Sequence, residues 1–329
     1  MKRKMITMAG MLLLCASLLC GCKGNGRSDE ALMEYRDKGI TYMATAEYAK
    51  AAEVFQKALD QSSGNIRDIE LDICFYKAEA QFLSGDTEGA YETYTAIINW
   101  NQSTDAYFLR GNLFLSEGNV TDAIADYEIA TAGDSGNYDL YIGIYQNLMD
   151  NEMDSEAISY LYSALGIKGE SAYDYLMRGR IYDMLSDEEK AIESLNKAIE
   201  KGNADANFYL AEIYSEQGDT ESEEQYYEAY LAGGTASADS LIQMGESSMK
   251  SGNYANGLKY FLTAKDLGDA SNPQQLDRDT IIAYEYTSDF ETAYNLIQSY
   301  MENYPEDYDA EDELTFLESR LPDEISQDD

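Results

Sequence analysis

The residues able to do chemistry are spaced in ways that point away from catalysis. Ser194 with Lys197, and Ser247 with Lys250, set a hydroxyl three residues from an amine, the spacing of a serine acyl-enzyme. Neither pair has the companion motifs, and both fall inside segments of helical periodicity. Asp150, Glu152 and Asp154 alternate as the first ligands of a calcium loop do, but the sixth place holds Ser155 where that loop needs glycine. Histidine is absent, which removes Ser-His-Asp and Cys-His catalysis, imidazole zinc sites and haem ligation. No phosphate loop, dinucleotide fingerprint or metal-binding Cys pair occurs. The 329 residues carry 23 Lys+Arg against 62 Asp+Glu, a formal charge of −39, so a phosphate backbone would be repelled and nucleic acid is excluded as a partner. The expectation is no catalytic residue, no metal and no cofactor.

One side chain does have a chemical assignment. Lys2, Arg3 and Lys4 precede an apolar stretch from Met5 to Leu19, too short to span a bilayer comfortably, and Leu19-Cys20-Gly21-Cys22 closes it. This segment resembles the lipobox of bacterial lipoproteins. The resemblance implies a signal peptide over 1–21, cleavage before Cys22, and a diacylglyceryl thioether on the Cys22 sulfur. Two acyl chains, at roughly 0.8 kcal/mol per buried CH₂, anchor stably where one chain does so only marginally. Residues 22–31 would then be the lipidated cysteine and a flexible tether. Its polar part, Lys23 to Glu30, reaches on the order of 15 Å as a random coil. Cleavage removes Cys15 and Cys20 and leaves Cys74 without a partner in the chain, so packing rather than disulfides must stabilise the fold.

Behind these residues lies a repeating frame. Units starting near 32, 71, 104, 138, 172, 204, 238 and 274 are spaced by 39, 33, 34, 34, 32, 34 and 36 residues. The eighth place is small in most of them: Gly39, Ala78, Gly111, Gly179, Ala211 and Gly245. The twentieth is Ala51, Ala90, Ala123, Ala157, Ala191, Gly257 and Ala293, and four residues on stand Phe55, Tyr94, Tyr127, Leu161, Leu195, Tyr227, Phe261 and Ile297. A small residue lets two helices approach, and a bulky one fills the space beside it. Turn signals such as Gly85-Asp86 and Gly118-Asn119 separate the paired helical stretches. Over residues 32–307 the chain resembles a tetratricopeptide repeat array, whose period is 34 residues. That resemblance implies an all-α, right-handed superhelical solenoid of helix-turn-helix repeats. Leu314, Leu317 and Leu321 add a capping helix over 308–322, followed by an acidic tail over 323–329. The long first spacing predicts a longer connection or an extended second helix in repeat one. Glu223 and Tyr230, where alanine is usual, predict a splayed second helix in repeat six.

The array would present the first helix of each repeat on a concave side. Its fifth place reads Arg36, Phe75, Phe108, Ile142, Leu176, Phe208, Ile242 and Arg278, an apolar stripe with a cation at each end. The ninth supplies Glu79, Asn112, Gln146, Arg180, Glu212 and Glu246. Buried, the stripe is core; exposed, it is a trough for a helix or an extended peptide. The second place is Asp72, Asp105, Asp139, Asp205 and Asp239, which reads either as an acidic ladder for a basic partner or as charges meeting helix N-termini. Chaperone-binding tetratricopeptide domains grip a C-terminal carboxylate with Lys, Arg and Asn, and acids or apolar residues stand at nearly all of those places here.

The expected function is a membrane-anchored, extracytoplasmic scaffold or assembly factor, not an enzyme. It would bind a protein or peptide more basic or apolar than acidic, would be a monomer, and would sit on the outer face of the cytoplasmic membrane, or on an outer membrane where one exists. The alternatives are a cell-wall or glycan-binding lipoprotein and an accessory lipoprotein of outer-membrane assembly or secretion.

Overall fold

The computed structural model describes residues 28–62 and 66–321, and all regular structure among them is helical. The signal peptide, Cys22 and the tail over 323–329 lie outside the described residues. Two compact units divide between Lys168 and Gly169. The first contains α1 (Ser28–Ala44), α2 (Tyr48–Asp60), α3 (Asp68–Ser84), α4 (Thr87–Asn101), α5 (Thr104–Ser116), α6 (Val120–Gly133), α7 (Tyr138–Asp150) and α8 (Asp154–Leu165). The second contains α9 (Ala172–Met184), α10 (Glu188–Glu200), α11 (Ala206–Gln217), α12 (Thr220–Gly233), α13 (Ala238–Lys250), α14 (Tyr254–Leu267), α15 (Pro273–Tyr286), α16 (Phe290–Asn303) and α17 (Asp309–Glu318). Within each unit consecutive helices pair as hairpins, and first helices of neighbouring hairpins also meet, α5 with α7 and α11 with α13 among them.

The repeat positions do the work their residue types imply. A Cβ added at Gly39 would stand 2.3 Å from the Phe55 ring, and one at Gly245 would stand 2.4 Å from that of Phe261. The eighth place therefore receives the knob sixteen residues later, and both partners are buried. Each such knob contributes about 1.5–3 kcal/mol through burial alone. Four of the expected starts, Thr104, Tyr138, Ala172 and Ala238, are the first residues of helices. The reason is the residue before each: Ser103, Asn137, Ser171 and Ser237 accept a hydrogen bond from the N–H three residues on.

One boundary differs from expectation, and the irregular repeats one and six take definite forms. The tether was drawn through residue 31, but α1 already begins at Ser28. The extra residues of repeat one lie in the connection between α2 and α3 and in an early start of α3 at Asp68, while α2 keeps 13 residues. In repeat six the carboxylate at the alanine place is buried and hydrogen-bonded. Glu223, 1% exposed, accepts hydrogen bonds from Ser248 Oγ at 2.6 Å, Asn253 Nδ2 at 2.8 Å and Tyr260 OH at 2.9 Å. Ser248 occupies a place where Tyr182, Tyr214 and Tyr284 stand in other repeats, so the hydroxyl both makes room for the carboxylate and satisfies it.

Candidate binding faces of the two units

The first helices of the N-terminal unit bury most of what the sequence offered as a trough. Phe108 is 6% exposed and Ile142 4%, both inside the hairpin stack; Phe75 is half-buried. Phe108 meets Tyr127 with ring centroids 6.0 Å apart, so it serves the joint between α5 and α6 and is closed to a ligand. At the ninth place Asn112 Oδ1 accepts from Tyr127 OH at 2.7 Å and from Asn147 Nδ2 at 3.0 Å, which ties α5 to both α6 and α7. Gln146 is exposed. The cation heading the stripe is occupied: Arg36 Nε donates to Asp72 Oδ2 at 2.5 Å.

The acidic ladder divides by local chemistry rather than forming one surface. Asp105 and Asp139 sit in the first turns of α5 and α7, where the helix dipole favours them, behind the capping Ser103 and Asn137. Burial, and Asp134 nearby, raise the Asp105 pKa above the usual aspartate range. Asp205 precedes α11 without a side-chain cap bond. Asp239 accepts from Ser271 N at 2.8 Å and from Ser271 Oγ at 3.0 Å, so it joins α13 to the turn before α15.

In the C-terminal unit Leu176 and Phe208, each 6% exposed, are again core, and Ile242 is half-buried. The stripe's second cation, Arg278, is held by Asp307 at 2.6 Å. What remains on the first helices is carboxylate. Asp183 and Glu212 come from α9 and α11, and Glu216 lies one turn beyond Glu212. Burial, then Glu216 and Glu188, push the Asp183 carboxyl up to about 6. Burial, then Asp183 and Glu216, push Glu212 up to about 8, against the opposing pull of Arg180. The Arg180 guanidinium lies over the Tyr209 ring, 5.1 Å from its centroid, and Nη1 donates to Met177 Sδ at 3.4 Å. On α13 and α15, Glu246 is raised by burial and by Asp279, and Asp279 is itself raised by burial. Two groups of acids thus stand on the first helices, Asp183 with Glu212 and Glu246 with Asp279, of which Glu246 is exposed and the others half-buried; Arg180 acts on Glu212 and Arg278 on Asp279.

Sequence reasoning singled out Glu212 and Glu246 only as polar members of the ninth place and passed over Asp183, Asp279 and Glu285. The available signal was at the twelfth place, where Asp183 and Glu285 replace the apolar residues of other repeats such as Met43, Phe82 and Leu115. It also missed Arg110. That guanidinium grips Asp126 through Nε at 2.8 Å and Nη2 at 2.9 Å, and reaches Thr95 Oγ1 at 3.0 Å. Tyr91, Tyr107 and Phe114 surround it with centroids at 5.6–5.7 Å. The arrangement joins repeats two and three and leaves no donor pattern open to a ligand. A separate apolar cavity of about 270 Å³ lies among α2, α3 and α4, lined by Leu71, Cys74, Ile97 and Trp100. Burial pushes the Cys74 thiol up, which keeps it protonated and slow to react.

The comparisons with known proteins agree with this architecture. Residues 77–138 and 176–239 match the family model described as tetratricopeptide repeat. Over 209 residues the chain is 26% identical to the TPR repeat-containing protein MJ1428 of Methanocaldococcus jannaschii, covering 56% of this chain and 35% of that protein. The chain thus spans about a third of the length of that curated relative. Among solved structures, yeast Tom70 superposes with a TM-score of 0.60 at 15% identity, over 94% of this chain and 66% of its own. A tetratricopeptide repeat protein from Parabacteroides merdae gives a TM-score of 0.46 at 13% identity, over 77% of this chain and 99% of its own. The repeat period, the small-residue and knob places that pack as they must, the family-model match and the Tom70 superposition together make this an all-α protein of the tetratricopeptide repeat fold.

Proposed function

We propose that the chain is a lipid-anchored, extracytoplasmic scaffold or assembly factor that binds a basic segment of another protein, and that it performs no catalysis. The observation that carries the binding half is the set of acids on the C-terminal unit, half-buried Asp183, Glu212 and Asp279 with exposed Glu246, whose ionised forms are opposed by burial and, for all but Asp279, by neighbouring acids. A lysine or arginine from a partner would relieve that opposition, whereas an acidic segment would add to it. Half-buried Tyr209 and Ile242 beside the acids offer apolar contact to the stem of such a side chain. The anchoring half rests on the run from Lys2 to Cys22 and its resemblance to a lipobox. It places the protein in the cell envelope, on the outer face of the cytoplasmic membrane or on an outer membrane.

Peptide arrays graded from Lys-rich to Glu-rich test the first half. Wild type is expected to retain the basic members, and Glu212→Gln with Glu246→Gln to weaken them by about tenfold, the equivalent of about 1.4 kcal/mol. Equal retention of acidic and basic peptides would remove the proposal. For the second half, Cys22→Ala is expected to move the protein from the membrane fraction to the soluble one. A Cys22→Ala protein that stays with membranes would show that the anchor lies elsewhere.

A further inference from the structure

We infer that α17 is an acid-stabilised cover of the last hairpin, closed by a contact between the carboxyl of Glu285 on α15 and the side chain of Glu313 on α17 and loosened when Glu285 loses its proton. The packing that holds α17 is small. Ala310 and Leu317 are buried against Ile281, Ala293, Ile297 and Tyr300, and Leu314 adds a partly buried contact. A helix of 10 residues is too short to persist unsupported, so modest changes at its contact decide whether it stays docked. It also carries five acids, Asp309, Glu311, Asp312, Glu313 and Glu318, and no base.

Glu285 lies on the covered side. Its Oε1 is buried and receives no N–H or O–H donor from the described residues, and the group acting on it is the Glu313 carboxyl. Two carboxylates in contact can share one proton but cannot both be charged without repulsion. The cations of the neighbourhood are committed elsewhere. Arg278 on α15 is paired with Asp307, Lys265 on α14 is paired with Asp277, and Arg320 lies over the Phe316 ring. Glu246 on α13, which also packs on α15, is coupled to Asp279. No neighbouring positive charge therefore stands in for the proton.

The sign follows from the pair. Burial and then Glu313 raise Glu285 to about 8, far above the value it would have once α17 leaves. The contribution to docking is complete below about pH 4.3, the ordinary glutamate value, and is lost as pH rises through about 8. Undocking would bare Ile281, Ile297 and Tyr300, an apolar end face that the closed state keeps from water.

Hydrogen exchange of the full chain at pH 6 and pH 9, corrected for intrinsic rates, reads the cover directly. Amide protection in α17 is expected to fall by about tenfold or more relative to α10, since one unit of pKa shift is worth a factor of ten. Glu313→Gln keeps a hydrogen-bonding group and removes the charge, so it is expected to raise protection at pH 9 and reduce the pH dependence, while Glu285→Gln, which removes the buried titrating group, is expected to abolish it. Leu317→Ala is expected to lower protection at both pH values while leaving their ratio unchanged. Wild-type protection that is equal at pH 6 and 9, or a Glu313→Gln protein that keeps the wild-type ratio, would overturn the inference.

Discussion

At the scale of single residues, the fold depends on places where one atom too many, or one oxygen too few, has nowhere to go. Gly245 faces the Phe261 ring so closely that an alanine Cβ would stand 2.4 Å from it, and Phe261 is 1% exposed with no room to withdraw. Gly245→Ala is expected to cost about 1–3 kcal/mol in urea denaturation, in spite of alanine's better helix propensity. Glu223 is the complementary case. Its three donors, Ser248, Asn253 and Tyr260, would be left facing an apolar gap in Glu223→Ala, with an expected loss of about 1–3 kcal/mol. Glu223→Gln, which keeps one acceptor oxygen, is expected to fall between that variant and wild type. If restoring the alanine of the other repeats instead stabilised the protein, the three hydrogen bonds would not be what secures repeat six.

At the scale of elements, the sequence was most readable where one residue type has one physical job. The small eighth place and the bulky twenty-fourth were legible, because period and residue size determine them without knowledge of neighbours, whereas the capping read at the second-place Asp is done by the Ser or Asn just before the helix. Ser171, whose Oγ accepts from Asp174 N at 3.1 Å while Asp174 returns a bond to Ser171 N at 2.8 Å, starts α9 in this way. Ser171→Ala is expected to lower stability by about 1 kcal/mol, seen as earlier exchange of the first turn of α9. The candidate site was less readable because burial is decided between repeats. Phe108 and Ile242 share the fifth place, yet one is core and the other half-buried. Arg110 could not be recognised as a joint, since Asp126, Thr95 and three rings reach it from three helices. The acids at Asp183 and Glu285 interrupt an apolar place, and a departure from the repeat rule was the one sign of them.

At the scale of the molecule, an excess of acid over base this large makes pH and salt act together on the C-terminal unit. Asp183 and Glu212, raised mainly by burial to about 6 and about 8, each contribute stability that is complete below about pH 4, the ordinary carboxylate value. That stability is lost as pH rises through about 6 and then about 8, because the folded state binds protons that the unfolded chain has released. Melting followed from pH 5.5 to pH 9 is therefore expected to show a falling Tm, and Glu212→Gln to flatten the upper half of the fall. Added salt is expected to recover part of the loss at pH 9 and to do little at pH 5.5, since screening acts only on charges that exist. A basic ligand inverts the dependence. Its charge favours ionised Asp183 and Glu212, so binding below pH 8 must expel protons and is expected to tighten from pH 6 to pH 8.5. Calorimetry in two buffers of different ionisation enthalpy measures that release, and equal heats in the two would mean that the ligand does not meet these acids.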